Sequence, residues 1–163
     1  MIFVTVGTQL AFDRLVGAVD RWAATRPGSR VFAQVGPSDL RPVNIESERF
    51  LAPAECRARM LAADAIVAHA GMGTILSALE MGKPVLVMPR RAALGEHRND
   101  HQIATARRFA ETGAVGVAFD EAELLAKLDR LDELGARERI GRHAPAPVVA
   151  ALRAFIDGVP EAG

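Results

Sequence analysis

Residues 64–89 read DAIVAHAGMGTILSALEMGKPVLVMP, and their order decides the fold. A short apolar run at 64–68 meets the turn His69-Ala70-Gly71, a helical pattern follows up to Gly82, and a second apolar run at 84–88 is closed by Pro89. Neither run alternates with polar residues, so both read as strands buried on two faces, the property of a parallel sheet. Two parallel strands need a crossover between them, and the helix supplies it.

The same grammar extends outward. Residues 2–6 form a first strand, and Phe12, Leu15, Val16, Val19 and Trp22 behind it make an apolar stripe at helical spacing, the core face of a helix. Pro27-Gly28 is a turn before a strand at 30–35, and the polar stretch 36–47, with Pro37 and Pro42, reads as loop. Phe50-Leu51 reads as a short strand ahead of a helix at 53–62. Downstream, a charged loop at 90–100 leads to a helix through about residue 110 and a strand at 113–119. Asp120 with Glu123 makes a capping box before Leu124, Leu125, Leu128 and Leu131. Past Gly135 the chain is basic, and Pro145 and Pro147 precede a final helix at 148–156. Alternating strands and helices predict one α/β domain over residues 1–163, a doubly wound parallel sheet.

The 163 residues are one domain's worth of chain, enough to bury about 68–70% of the unfolded surface without staples. Twenty basic residues balance twenty acidic ones, which argues against a nucleic-acid partner held by bulk charge. Cys56 is the single cysteine, so no internal disulfide forms, and it reads as a small buried apolar residue. The longest apolar stretch, 65–81, is broken by His69, two glycines, Thr74, Ser77 and Glu80, and falls short of the ~20 apolar residues of a membrane span. The N-terminus lacks the basic lead of a signal peptide. A cytoplasmic protein is expected, with any membrane association made through a partner or surface patch.

In open α/β sheets ligands bind where strand carboxyl ends meet helix N-termini. At Ala68-His69-Ala70-Gly71-Met72-Gly73-Thr74 the glycines admit a close ligand, and the first amides of the helix, having no intrahelical partner, favour an anion such as phosphate. Thr74 adds a hydroxyl and His69 stands at the strand's mouth. A tight turn that only packs is an equally good reading of the same residues. Thr74, Ser77 and Glu80 form a polar row that either reaches a ribose or is a solvated face. Gly7-Thr8-Gln9 is a second turn suited to the same crevice, or a plain connection. Glu96-His97-Arg98-Asn99-Asp100-His101-Gln102 concentrates donors and acceptors fit for sugar hydroxyls. His97 and His101, four apart, have the spacing of a shared metal, but no third ligand is placed by spacing and no metal is expected. Gly71-x-Gly73 lacks the third glycine of a dinucleotide fingerprint, and Arg90-Arg91 end the next strand where an acidic ribose ligand would stand, leaving a weaker NADP-type alternative. No carboxylate pair stands out as acid and base.

Taken in order, His69-Ala70-Gly71-Met72-Gly73-Thr74, Gly82-Lys83-Pro84-Val85-Leu86-Val87-Met88-Pro89 and Asn99-Asp100-His101-Gln102 resemble the C-terminal donor-binding domain of family 28 glycosyltransferases, the Rossmann-like second half of the GT-B fold. Phe3-Val4-Thr5-Val6-Gly7-Thr8 with Phe12-Asp13-Arg14-Leu15-Val16 is closer to a half-enzyme subgroup, similar to the catalytic subunit of the dolichol-pathway N-acetylglucosaminyltransferase and to bacterial exopolysaccharide glycosyltransferase subunits. The likeness covers roughly residues 1–120. It implies that His69, Gly71, Gly73, Thr74 and Thr8 hold a diphosphate and that His101 and Gln102 touch the donor sugar. Where related transferases place a ribose-binding Glu this chain has Ser77, with Glu80 one turn later.

The resemblance further implies a UDP-sugar-dependent inverting transferase subunit acting in polysaccharide biosynthesis. It would pass glucuronic acid, galactose or glucose to a lipid-linked acceptor at the inner face of the cytoplasmic membrane. The chain opens at the first strand of a donor domain, so a separate membrane-anchored subunit is expected to carry the acceptor site and the general base. The UDP-sugar is then a substrate and no cofactor is expected. Arg90, Arg91 and Arg98 would suit an acidic sugar, anionic lipid or the partner. The rivals are a non-catalytic nucleotide-sugar-binding or regulatory subunit, an NADP-dependent oxidoreductase and a two-histidine metal hydrolase.

Overall fold

A computed structural model of the chain describes residues 1–134; the basic stretch and final helix expected beyond Gly135 lie outside the described residues. Six parallel strands, β1 (Ile2–Thr5), β2 (Val31–Gln34), β3 (Glu46–Glu48), β4 (Ala65–His69), β5 (Val85–Met88) and β6 (Gly116–Val117), form one sheet in the order β3-β2-β1-β4-β5-β6. Among the described residues five helices connect and cover them: α1 (Asp13–Ala24), α2 (Pro53–Ala62), α3 (Met72–Glu80), α4 (His101–Thr112) and α5 (Glu121–Leu128).

The apolar strands sort their side chains to two faces, as the period of two requires. Val4, Val67, Leu86 and Met88 join Leu15, Val16, Val19, Leu124 and Leu128 in one core, under α1 and α5. Phe3, Ile66, Ala68, Val85 and Val87 join Met60, Ile75, Leu79 and Ala106 in the other, under α2, α3 and α4. Both faces are thus covered, and the expected doubly wound sheet is present. The stripe Phe12, Leu15, Val16, Val19 and Trp22 is buried throughout. The Trp22 indole N–H donates to Asp129 at 2.8 Å, tying α1 to the end of α5.

Two expectations at the sheet edges are corrected. Phe50-Leu51 is no strand and Phe50 is exposed; the strand is Glu46–Glu48, overlapping the end of the stretch 36–47 read as loop. It pairs with β2 in the register Phe32↔Glu46 and, among the described residues, has no partner on its outer side. An edge strand of this kind is held by its backbone and needs no apolar face, and its charged side chains deter further strands from adding. The strand read at 113–119 shrinks to two residues, because α4 runs on to Thr112 and ends on Gly113, whose φ of 61° is left-handed. The capping box at α5 forms as read at one end: Asp120 accepts the Glu123 N–H at 2.9 Å. Glu123 reaches one residue further back than the motif requires, to the Phe119 N–H at 3.0 Å. Cys56 is half-buried against the second core, and burial raises its thiol pKa.

Candidate functional site

The chain leaves β1 on one side of the sheet and β4 on the other, so the strand order reverses between these two neighbours. A crevice opens at such a reversal, above the carboxyl ends of the strands. Here it is a cavity of about 280 Å³, walled by the turn after β1 (residues 6–10), by His69, Gly73 and Thr74 after β4, and by Arg90, His97 and Gln102 after β5.

Helix α3 starts in the wall. Gly71 is its N-cap in extended conformation and offers no side-chain bond, so among the described residues the amides that open α3 have no side-chain capping partner. Gly73 and Thr74 face the cavity. Gly71 is dictated by His69: a Cβ there would stand 2.2 Å from the ring's Nε2. On its other side the same ring packs on Gly7, where a Cβ would lie 3.1 Å from Cε1. His69 Nδ1 lies 3.5 Å from the Thr5 carbonyl. Burial first, and the Arg90 cation second, push the imidazole pKa down to about 4, so the ring is neutral at physiological pH.

The turn after β1 is held from beneath. Gly7 takes a φ of 77°, which a Cβ would strain. The Gln34 side-chain N–H donates to the Gly7 carbonyl at 3.2 Å. The Arg90 guanidinium donates to the carbonyls of Val6 (2.8 Å), Leu10 (2.7 Å) and Ala11, and its carbon lies 4.7 Å from the Phe12 ring centre. Arg90 is only 2% exposed, and desolvation lowers its pKa to about 10, so it stays charged. This corrects the expectation that Arg90 would meet an acidic sugar, a lipid or a 2′-phosphate: both its Nη groups are engaged by backbone carbonyls. Its charge nonetheless lies in the cavity wall, where no carboxylate is among the described lining residues.

On the third side Gln102 is buried and its side-chain carbonyl accepts the Arg90 N–H at 3.2 Å, which fixes the amide's orientation and leaves its NH₂ as the spare donor. His97 and His101 meet edge to face with ring centres 4.5 Å apart, but only His97 lines the cavity. His101 is exposed and hydrogen-bonded to Asn99. Desolvation, then the neighbouring His101, Arg90 and Arg98 charges, lower the His97 pKa. Among the described residues no group of three or more His, Cys, Asp or Glu is placed to hold a metal.

Of the residues read from sequence, Thr8, His69, Gly73, Thr74 and Gln102 are brought together in the cavity wall, with Gly71 directly behind His69. Ser77, Glu80 and His101 are not in that wall; Glu80 is exposed at the last residue of α3. Arg91 turns away, donating to the Phe119 carbonyl, and Arg98 is exposed. Gln34 escaped the sequence reading, although a glutamine inside the apolar run Val31-Phe32-Ala33-Gln34-Val35 was a visible anomaly. No described helix is long and apolar enough to cross a membrane.

Comparison with known proteins places the fold. The human UDP-N-acetylglucosamine transferase subunit ALG13 is 28% identical over 122 residues, a match covering 69% of this chain but only 10% of that protein. The solution structure of ALG13 superposes with a TM-score of 0.62 at 20% identity, covering 93% of each chain. The crystal structure of Acinetobacter baumannii MurG gives 0.56 at 20% identity, with 96% of this chain on 49% of that one. At these identities the structures establish the fold, that of one half of a GT-B glycosyltransferase. The family model of the glycosyltransferase family 28 C-terminal domain matches residues 1–142, nearly the whole chain, and the protein belongs to that family.

Proposed function

We propose that this chain is the donor-binding half of an inverting, UDP-sugar-dependent glycosyltransferase. It acts with a separate membrane-anchored subunit that supplies the lipid-linked acceptor and the general base. The observation that carries the reading is the cavity at the β1/β4 reversal: it joins the uncapped start of α3, the Thr8 and Thr74 hydroxyls and the buried Arg90 charge, with no carboxylate among the described lining residues to oppose an anion. Aligned amides and a desolvated cation favour a diphosphate there. The human relative is by name a subunit of a UDP-N-acetylglucosamine transferase, which supports both a UDP-linked donor and a partner chain.

In the transfer, an acceptor hydroxyl oxygen bonds to the anomeric carbon from the face opposite UDP. The carbon–oxygen bond to the β-phosphate breaks, its electron pair leaves on UDP, and the hydroxyl proton passes to the partner's base. This half lowers the barrier by stabilising the charge that grows on the departing diphosphate through amide hydrogen bonds and the Arg90 field. His69, neutral and wedged, keeps the two diphosphate-facing turns in register. Glucose, galactose and glucuronic acid are the sugars proposed for the donor, polysaccharide assembly the process, and the cytoplasmic membrane face the place of work.

A thermal-shift panel of UDP, UDP-sugars, other nucleotides and NADPH tests the class. At about a hundred times Kd, a ligand of the folded chain adds about 2.7 kcal/mol and raises Tm by about 5–10 °C. Shifts confined to uridine compounds are expected; a shift with NADPH alone would overturn the proposal. A complex that keeps its transferase activity after His101→Ala and Gln102→Ala together would mark this chain as a non-catalytic binding subunit.

A further inference from the structure

The connection between β5 and α4 contains only a 3₁₀ turn, Ala92–Leu94, yet it is tied at several points. Glu96 accepts Nε and Nη2 of Arg14 at 2.7 and 2.9 Å, and the Arg91 N–H at 2.8 Å. Arg14 also donates to the Pro89 carbonyl at 3.1 Å and to Glu121 at 3.2 Å, so one guanidinium joins α1, the end of β5, this connection and α5. The Arg14 and Glu96 side chains are each only 12% exposed, a setting in which removing one partner of a bidentate pair costs far more than at the surface. Nearer α4, Asp100 accepts the Ala92 N–H at 2.8 Å. His97 lies between these two anchors and reaches the cavity. Neither Arg14 nor Glu96 lines that cavity, so the pair has no direct contact to offer a ligand.

We propose that the Arg14–Glu96 ion pair is a positioning device that holds His97 in the cavity wall, where its ring contacts the sugar carried by the diphosphate. This rests on the donor-site reading above. The amides of α3 and the turn after β1 meet the diphosphate, while His97 and Gln102 arrive from the strand beyond and are left to meet what is attached to it. His97 is a specificity residue in this scheme; Arg14 and Glu96 act only through it. The connection is then a fixed wall present before the donor arrives.

The test compares affinities for UDP and for UDP-glucose, UDP-galactose and UDP-glucuronate by calorimetry in wild type, His97→Ala, Arg14→Met and the double variant. For the sugar nucleotide that wild type binds best, His97→Ala is expected to weaken binding about tenfold, the scale of one lost hydrogen bond, while UDP changes less than about twofold. Arg14→Met should show the same selective loss, and adding it to His97→Ala should cost nothing more, because both act through one contact. Glu96→Gln, which keeps the volume and loosens the pair, serves as a second variant if Arg14→Met does not fold, with the same selective loss expected. An unchanged ratio of sugar-nucleotide to UDP affinity, equal losses for both ligands, or additive losses would overturn the proposal while leaving the donor site intact. Absence of UDP binding by wild type would overturn the parent reading itself.

Discussion

The His69 ring separates two glycines, and each contact has a measurable consequence. Gly71→Ala would drive a methyl to within 2.2 Å of Nε2, so the ring or the α3 start must move. A loss of about 1–3 kcal/mol is expected, as for other overpacked sites, together with weaker UDP binding. Gly73→Ala meets nothing within 4 Å and lies inside a helix, so stability should hold or rise by up to about 1 kcal/mol. Gly73 lines the cavity, however, so UDP affinity should fall. Urea melts and calorimetry on the two variants check the contrast; identical behaviour would count against it. The ring also couples folding to pH. With its pKa moved from 6.5 to about 4, the unfolded chain binds more protons between those values. The stability that the neutral ring contributes is complete above about pH 6.5 and falls by on the order of 3 kcal/mol as the pH approaches 4. His69→Gln should flatten that slope in urea melts taken at about pH 7.5 and about pH 5; an unchanged slope would place the titrating group elsewhere.

At the scale of elements, legibility followed burial. Strands 2–6 and 84–88 were plain because two covered faces leave unbroken apolar runs, and α1 was plain because its stripe meets one core. Glu46–Glu48 was hidden because an edge strand is specified by pairing across the sheet, which local pattern does not carry. The Asp120 cap was legible because its partner stands three residues away; Asp120→Ala should cost about 1 kcal/mol in a denaturant melt, with UDP affinity unchanged. The candidate site divides in the same way. The glycine turns and Gln102 follow from local motifs. Gln34 and Arg90 act across 27 and 84 residues on backbone carbonyls, a role no local signature announces, and Arg90 was therefore read as a ligand contact.

For the whole molecule, the strand order puts the cavity at the centre of one sheet, with contributions from β1, β4 and β5. A ligand there braces the elements that pack both cores, so the UDP-induced shift should displace the entire unfolding transition, read alike by tryptophan fluorescence at Trp22 and by far-UV ellipticity. A shift seen by only one probe would mean that the ligand braces the rim alone.

Arg90 fastens to carbonyls of residues 6, 10 and 11, and its own amide is fastened to Gln102. The cavity wall is therefore completed late in synthesis: its first loop is translated near the start and lacks these ties until Arg90 and Gln102 have emerged. No ligand of that cavity can brace the nascent chain before then, and a polypeptide terminated ahead of Arg90 would carry the first loop without the residue that fastens it.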